Sequence, residues 1–222
     1  MFGWDGIVRL IDFGVCWDER EPDVGEEWKE TDTNRCYSMG TGAYRAPELL
    51  FGDKTYDPQA VDIWAAGCTL AEFFTKFTTQ TNPDNTQSPD SSGRRLSYFD
   101  ATEGDMVLIG DIFNVLGTPN SYNWPDFDSL PDAKKLHFHP KQPKELITRL
   151  PDLESLTTHR EILQLFEKML RLDPHFRAPA WVLHDEMHEY EFEQEELKVI
   201  LQPWYDQSIG ILSKAAGKDI KR

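Results

Sequence analysis

Between Pro58 and Lys76 the sequence is apolar on most faces of a helix, with Val61, Trp64, Ala65, Cys68, Leu70, Ala71 and Phe74 recurring at helical spacing. Such a helix has little to offer water, so it is expected to run through the middle of a domain with other elements packed around it. Candidates for those elements follow in the chain. Met106, Val107, Ile109, Ile112, Phe113 and Leu116 mark an apolar stripe over Gly104–Leu116. Gly117-Thr118-Pro119 ends it, since glycine adopts the left-handed cap and proline cannot continue a helix. A further amphipathic helix is expected over Leu163–Leu172, stopped at Asp173-Pro174, and Ala180–Gln202 also reads as helical. Near the start, the Asp5-Gly6 turn and the alternating run Ile7–Ile11 suggest the second strand of a β-hairpin. Its first strand would lie mostly before Met1, leaving an unpaired edge. The expected fold class is mainly α with one remnant β-hairpin strand.

The connections are long. Val15–Met39 is polar and aperiodic, a surface loop; Thr78–Arg95 is rich in Asn, Asp, Ser, Thr, Pro and Gln and reads as a flexible insertion within about 78–104. Ser121–Leu150 is Pro-rich and irregular. At 222 residues and 39% apolar content, the chain has material for one large domain with a core. The division expected is a domain over 1–184 and, over 185–222, an acidic helical extension ending in a short basic tail.

Thirty-nine acidic against 23 basic residues leave a net charge of −16, which argues against nucleic acid as the main partner. Seven of the twelve residues in Asp185–Glu196 are acidic; a solvated helical face accounts for them, and a docking site for a basic partner is the alternative. The apolar stretches are too short and interrupted to cross a bilayer, and no basic region followed by an apolar one marks secretion. Cys16, Cys36 and Cys68 lack metal-type spacing and read as free thiols in a reducing compartment. An intracellular protein, nuclear or cytoplasmic, is expected, without nucleic-acid or membrane partners.

One ordered series of motifs carries chemistry. Asp12-Phe13-Gly14 precedes Gly40-Thr41-Gly42-Ala43-Tyr44-Arg45-Ala46-Pro47-Glu48; then come Asp62-Ile63-Trp64-Ala65-Ala66-Gly67, Leu116-Gly117-Thr118-Pro119 and Leu172-Asp173-Pro174-His175-Phe176-Arg177. A lone Asp-Phe-Gly would carry little weight, but the order carries a great deal. The chain resembles the large, C-terminal lobe of a serine/threonine protein kinase of the cyclin-dependent kinase group, over roughly Asp5 to His184.

That resemblance implies transfer of the ATP γ-phosphate to a protein Ser or Thr, with ATP and magnesium as cofactors. Asp12 would ligate the magnesium, a hard carboxylate oxygen for a hard cation. Phe13 would pack beneath the small lobe, and Gly14 would allow the turn. Thr41 would hydrogen-bond the catalytic aspartate, and Asp62 would accept backbone amides of the catalytic loop; both support catalysis from outside it. Gly42, Ala43, Tyr44 and Arg45 would line the pocket for the residue after the phosphoacceptor, with Trp64 packed against Pro47 and that pocket. Gly42-Ala43 departs from the Leu-Trp usual in the group, so a proline preference does not follow. Glu48 and Arg177 resemble a buried ion pair tying the activation segment to the last helices of the lobe.

Cys36 stands where the group carries a phosphorylatable threonine, with Thr31, Thr33 and Ser38 nearby. Single-subunit fungal kinases that activate cyclin-dependent kinases are similar in this respect, which makes another cyclin-dependent kinase a candidate substrate; whether a cyclin is needed stays open. No Gly-rich loop, ATP lysine or His-Arg-Asp loop occurs in the sequence, and the general base is missing. Two readings follow: a kinase represented by a truncated chain, inactive alone, or a non-catalytic module that docks a partner or substrate.

Overall fold

The central helix, α2, spans Pro58–Glu72. Asp57 caps it by accepting the Gln59 N–H, and Pro58 occupies the first turn, where its missing N–H costs nothing. The helix stops before the expected Lys76 because Thr75 turns away: its hydroxyl donates to the carbonyls of Glu72 and Leu96 at 2.9 and 2.6 Å. Ala60, Ile63, Trp64, Gly67, Cys68 and Ala71 are buried, while Asp62, Thr69 and Leu70 face water. So α2 keeps one solvent side that its apolar pattern does not predict. The computed structural model describes residues 9–14, 16, 31–78, 94–154 and 159–188.

Three further helices contribute to the same core. The short helix α1, Pro47–Leu50, leads into Phe51; α3 spans Asp105–Leu116 and ends at Gly117 as the sequence predicts, although its φ of 82° and ψ of 163° are an extended positive-φ conformation and not the left-handed helical cap expected. The amphipathic helix α5, His159–Met169, begins earlier and ends earlier than Leu163–Leu172. Leu170 and Leu172, beyond its end, are still core residues. Between α3 and α5 lie 3₁₀ turns at Phe127–Ser129, Ala133–Lys135 and Leu146–Arg149 and the one-turn helix α4, Pro151–Glu154, so the Pro-rich stretch is irregular as expected. The last described helix, α6, spans Ala180–His188; the rest of the expected Ala180–Gln202 helix and of the 185–222 extension lies outside the described residues.

Helix α2 packs on α5, and Gly67 is the reason they come so close. A Cβ at position 67 would sit 3.0 Å from both Met169 Cβ and Leu170 Cδ2. Leu170 Cδ2 is a terminal methyl and can turn aside, but Met169 Cβ is fixed to its backbone, so the helices would have to separate by a few tenths of an ångström. Gly67→Ala is therefore expected to destabilise the protein by about 1–3 kcal/mol despite the better helix propensity of alanine. Urea unfolding checks this; a gain in stability would rule out the close approach.

Mainly helical architecture thus holds among the described residues, with one two-stranded antiparallel sheet. Phe77–Thr78 (β1) pairs with Arg94–Arg95 (β2), Phe77 opposite Arg95. The expected insertion within 78–104 is in part structural. Residues 79–93 lie outside the described residues, but β2 feeds Tyr98 and Phe99 into the core, 2% and 0% exposed. Arg95, buried, donates to the Thr75 carbonyl and the Asp152 carboxylate, both at 2.5 Å. The sequence pattern missed this because its polar bias ran through Arg95 without a visible break. At the N-terminus, residues 9–13 take no regular structure, with Leu10 86% and Phe13 66% exposed. The described part of the expected Ile7–Ile11 strand is therefore irregular, and Ile7 and Val8 lie outside the described residues.

Candidate functional site

Thr41 opens a 3₁₀ turn, Gly42–Tyr44, closed by the Tyr44 N–H donating to the Thr41 carbonyl at 3.1 Å and the Arg45 N–H to the Gly42 carbonyl at 3.2 Å. Ala43 is buried, Thr41 and Gly42 are exposed, and Tyr44 and Arg45 are half-buried. The turn is fastened on both sides. Tyr44 donates its phenol to Glu72 Oε2 at 2.5 Å, anchoring the turn to the end of α2. Burial first, and the Glu72 carboxylate second, push the Tyr44 phenol well above its usual range, so the proton stays on Tyr44.

Arg45 fastens the other side. Its Nε donates to the Met39 carbonyl at 3.2 Å, Nη2 to the Tyr37 carbonyl at 3.2 Å and Nη1 to Asp105 Oδ2 at 2.5 Å, at the start of α3. Gly40 makes room for this: at φ 81° it turns the chain, and a Cβ there would lie 3.1 Å from Arg45 Cγ.

Glu48 and Arg177 meet in the interior, 0% and 6% exposed. The contact is bidentate, Nη1 to Oε1 and Nη2 to Oε2, each 2.7 Å. Arg177 also donates Nε to the Arg171 carbonyl, Nη1 to Ala60 and Nη2 to Leu172, at 2.9, 2.9 and 3.2 Å. All five guanidinium N–H groups are thereby used. Above it lies Trp64, with the Arg177 carbon 5.0 Å from the ring centroid and Phe99 stacked parallel at 5.4 Å. The stacking partner of Trp64 is thus Phe99, a residue the sequence reading did not single out. Its indole N–H is buried without a hydrogen-bond partner.

The remaining site residues stand apart. Asp12 is exposed with a left-handed φ of 63°, and its Oδ1 accepts the Gly14 N–H at 3.4 Å. A Cβ at Gly14 would meet that oxygen at 3.3 Å, so glycine keeps the carboxylate tucked over the turn. No group of three or more candidate ligands that could hold a metal occurs among the described residues. One carboxylate with an open oxygen still fits magnesium, which is commonly held by one or two carboxylates plus phosphates. Asp62 lies on the solvent side of α2 and has no hydrogen-bond or ion-pair partner among the described residues; the part of its side chain that is desolvated raises its carboxyl pKa. Cys16 and Cys36 are exposed and Cys68 is buried, all as free thiols.

The structure therefore joins Thr41–Arg45, Glu48, Trp64 and Arg177 into one assembly, leaving Asp12–Gly14 and Asp62 outside it. Sequence reading missed Glu72, Phe99 and Asp105. Asp105 lies 60 residues from Arg45 and looks like an ordinary acidic residue in the first turn of a helix.

This assembly and the motif order define a protein kinase lobe, and the comparison with known families agrees: the protein kinase domain model matches residues 1–188. The chain belongs to the protein kinase family. Within it the chain is like the cyclin-dependent kinases. Cyclin-dependent kinase 7 of Dictyostelium discoideum is 34% identical over 179 residues, which are 79% of this chain and 39% of the relative. Human cyclin-dependent kinase 20 is 32% identical over 79% of this chain and 41% of its own length. The serine/threonine-protein kinase csk1 of Schizosaccharomyces pombe is 32% identical over 68% of this chain and 42% of its own. The chain thus spans about two fifths of the length of these relatives. No described helix is long and apolar enough to cross a membrane.

Proposed function

We propose that this chain is the acceptor-side part of a serine/threonine kinase of the cyclin-dependent kinase group, acting on protein substrates. The observation that carries the reading is the fastening of Thr41–Arg45: one exposed turn is pinned to α2 through Tyr44, to α3 through Arg45 and to the domain interior through Glu48. A turn held from three sides suits a surface that must present a peptide in one register. In this reading Thr41, exposed at its start, meets the catalytic aspartate; Gly42, Ala43, Tyr44 and Arg45 form the floor for the residue after the acceptor, and Trp64 supports them.

Asp12 contributes a carboxylate oxygen for magnesium. When bound, that ion neutralises charge on the transferring phosphoryl group. Phe13 and Gly14 set the turn that presents Asp12, and Asp62, unpartnered and partly desolvated, offers an acceptor for the amides of a catalytic loop. Another cyclin-dependent kinase is the substrate class we favour, on likeness to kinases that activate that group.

The 222 residues contain neither a His-Arg-Asp base nor an ATP-positioning lysine in its motif. The purified chain, given radiolabelled ATP, magnesium and a protein acceptor, is therefore expected to transfer no phosphate; robust transfer would refute that. Reading the transcript upstream of Met1 separates the two remaining possibilities. An in-frame His-Arg-Asp with its Asn supports the kinase, whereas a true start without them favours a docking module.

A further inference from the structure

The segment before the acceptor-side turn is seated on Tyr56 through the carbonyl, ring and hydroxyl of that tyrosine. Its carbonyl accepts Arg35 Nη1 at 3.0 Å, and its ring lies 5.8 Å from the Arg35 guanidinium carbon. Its hydroxyl reaches the Cys36 carbonyl and Met39 Sδ, both at 2.9 Å. Tyr56 is buried, 3% exposed, so it is a fixed post. Arg35 binds the neighbouring strand of chain as well, its own N–H donating to the Lys54 carbonyl at 2.9 Å. The counter-anion comes from the segment itself: Arg35 Nη2 meets Asp32 Oδ1 at 2.6 Å, and a tight turn bridging Thr31 to Asn34 brings the carboxylate round. Lys54 reinforces that turn by donating to Asn34 Oδ1 at 3.3 Å.

Met39 links this seat to the site, because its sulfur rests on the Tyr56 hydroxyl while its carbonyl accepts Arg45 Nε. A continuous path thus runs from Asp32 through Arg35, Tyr56 and Met39 to Arg45. We propose that Arg35 and Tyr56 are positioning residues that latch the segment 31–39 and through it shape the Thr41–Arg45 surface, with Asp32 supplying the anion from within the chain. The latch needs no added anion to close. Its energy divides unequally: the Arg35 side chain is 11% exposed and multiply bonded, whereas Asp32 is 83% exposed and its pairing is screened by salt. The claim rests on reading Thr41–Arg45 as the acceptor-side surface.

Hydrogen–deuterium exchange on the intact chain tests it, read over 34–39 and 44–45 with α3 and α5 as internal controls. Arg35→Ala should accelerate exchange over 34–39 by about tenfold or more, since several hydrogen bonds are lost together. Arg35→Lys should fail to rescue it, because an ammonium cannot reproduce the fork and the stacking. Tyr56→Phe, the mildest variant, should loosen 36–39 and carry over to 44–45 with the controls unchanged. Asp32→Asn should give a smaller acceleration that disappears at high salt. Unchanged exchange over 34–39, full rescue by lysine, or equal acceleration in α3 and α5 would each overturn the latch. Exchange reports it whether or not the chain takes part in phosphotransfer, so failure of the kinase reading would leave a positive result standing.

Discussion

Glu48→Gln is expected to destabilise the protein by about 3–5 kcal/mol, enough to unfold much of a domain of ordinary stability. The cause is the charge left behind. Arg177 is 6% exposed, and without the Glu48 carboxylate its guanidinium stays buried beside neutral groups, among them Trp64 and three carbonyls. Arg177→Met should cost a similar amount by stranding the carboxylate. In many proteins a double apolar replacement of a buried pair recovers stability. Here Glu48→Leu/Arg177→Met should recover only part, because the carbonyls of Ala60, Arg171 and Leu172 also lose their donor. Arg177→Lys should fare poorly as well, since three donors on a point charge cannot fill five directed bonds. Urea midpoints at constant slope measure all four variants. A loss under about 1 kcal/mol for Glu48→Gln would mean that water reaches the pair.

The second large effect lies one turn further along, at the end of α1. Phe51→Ala is expected to cost about 3–5 kcal/mol. Phe51 is 0% exposed and sits at the centre of an aromatic cluster: it stacks on Phe113 at 6.0 Å and meets Phe127 edge-on at 4.8 Å, with Trp124 and Phe138 at 6.4 and 6.2 Å. Its carbonyl also accepts the Asp132 N–H at 3.1 Å, tying the irregular stretch between α3 and α4 to α1. Truncation should therefore loosen Trp124–Phe138 before the α2–α5 contact. Thermal unfolding gives the total loss, and exchange over 124–138 shows where it falls. Phe51→Leu, which keeps most of the volume, should lose clearly less. An equal loss for both would mean that ring geometry, and not cavity volume, sets the cost.

Helices α2, α3 and α5 were legible in the sequence because each buries a periodic apolar face, and burial of that face is what makes the segment helical. Their ends were less legible. Helix α2 stops at Glu72 because the Thr75 hydroxyl finds the Leu96 carbonyl, a partner 21 residues away that no local pattern announces. The same reason hid Tyr98 and Phe99, which follow a polar stretch yet reach the core because β2 pairs with β1.

The site divides in the same manner. The ordered motifs by themselves determined the lineage and the helix end at Gly117, and the kinase likeness they carry named Glu48 and Arg177 as a pair to look for. Residue order along the chain carries that information even for Glu48 and Arg177, which lie 129 residues apart, because each sits inside its own recognisable motif. Only the tertiary structure decided what holds the turn: Glu72 under Tyr44, Asp105 against Arg45, Phe99 on Trp64, and Arg35 against Tyr56. These contacts span 21 to 60 residues where their separations are counted. Hydrogen bonds and ring contacts act over a few ångströms of space and leave no mark on spacing along the chain, so folding alone brings such partners together.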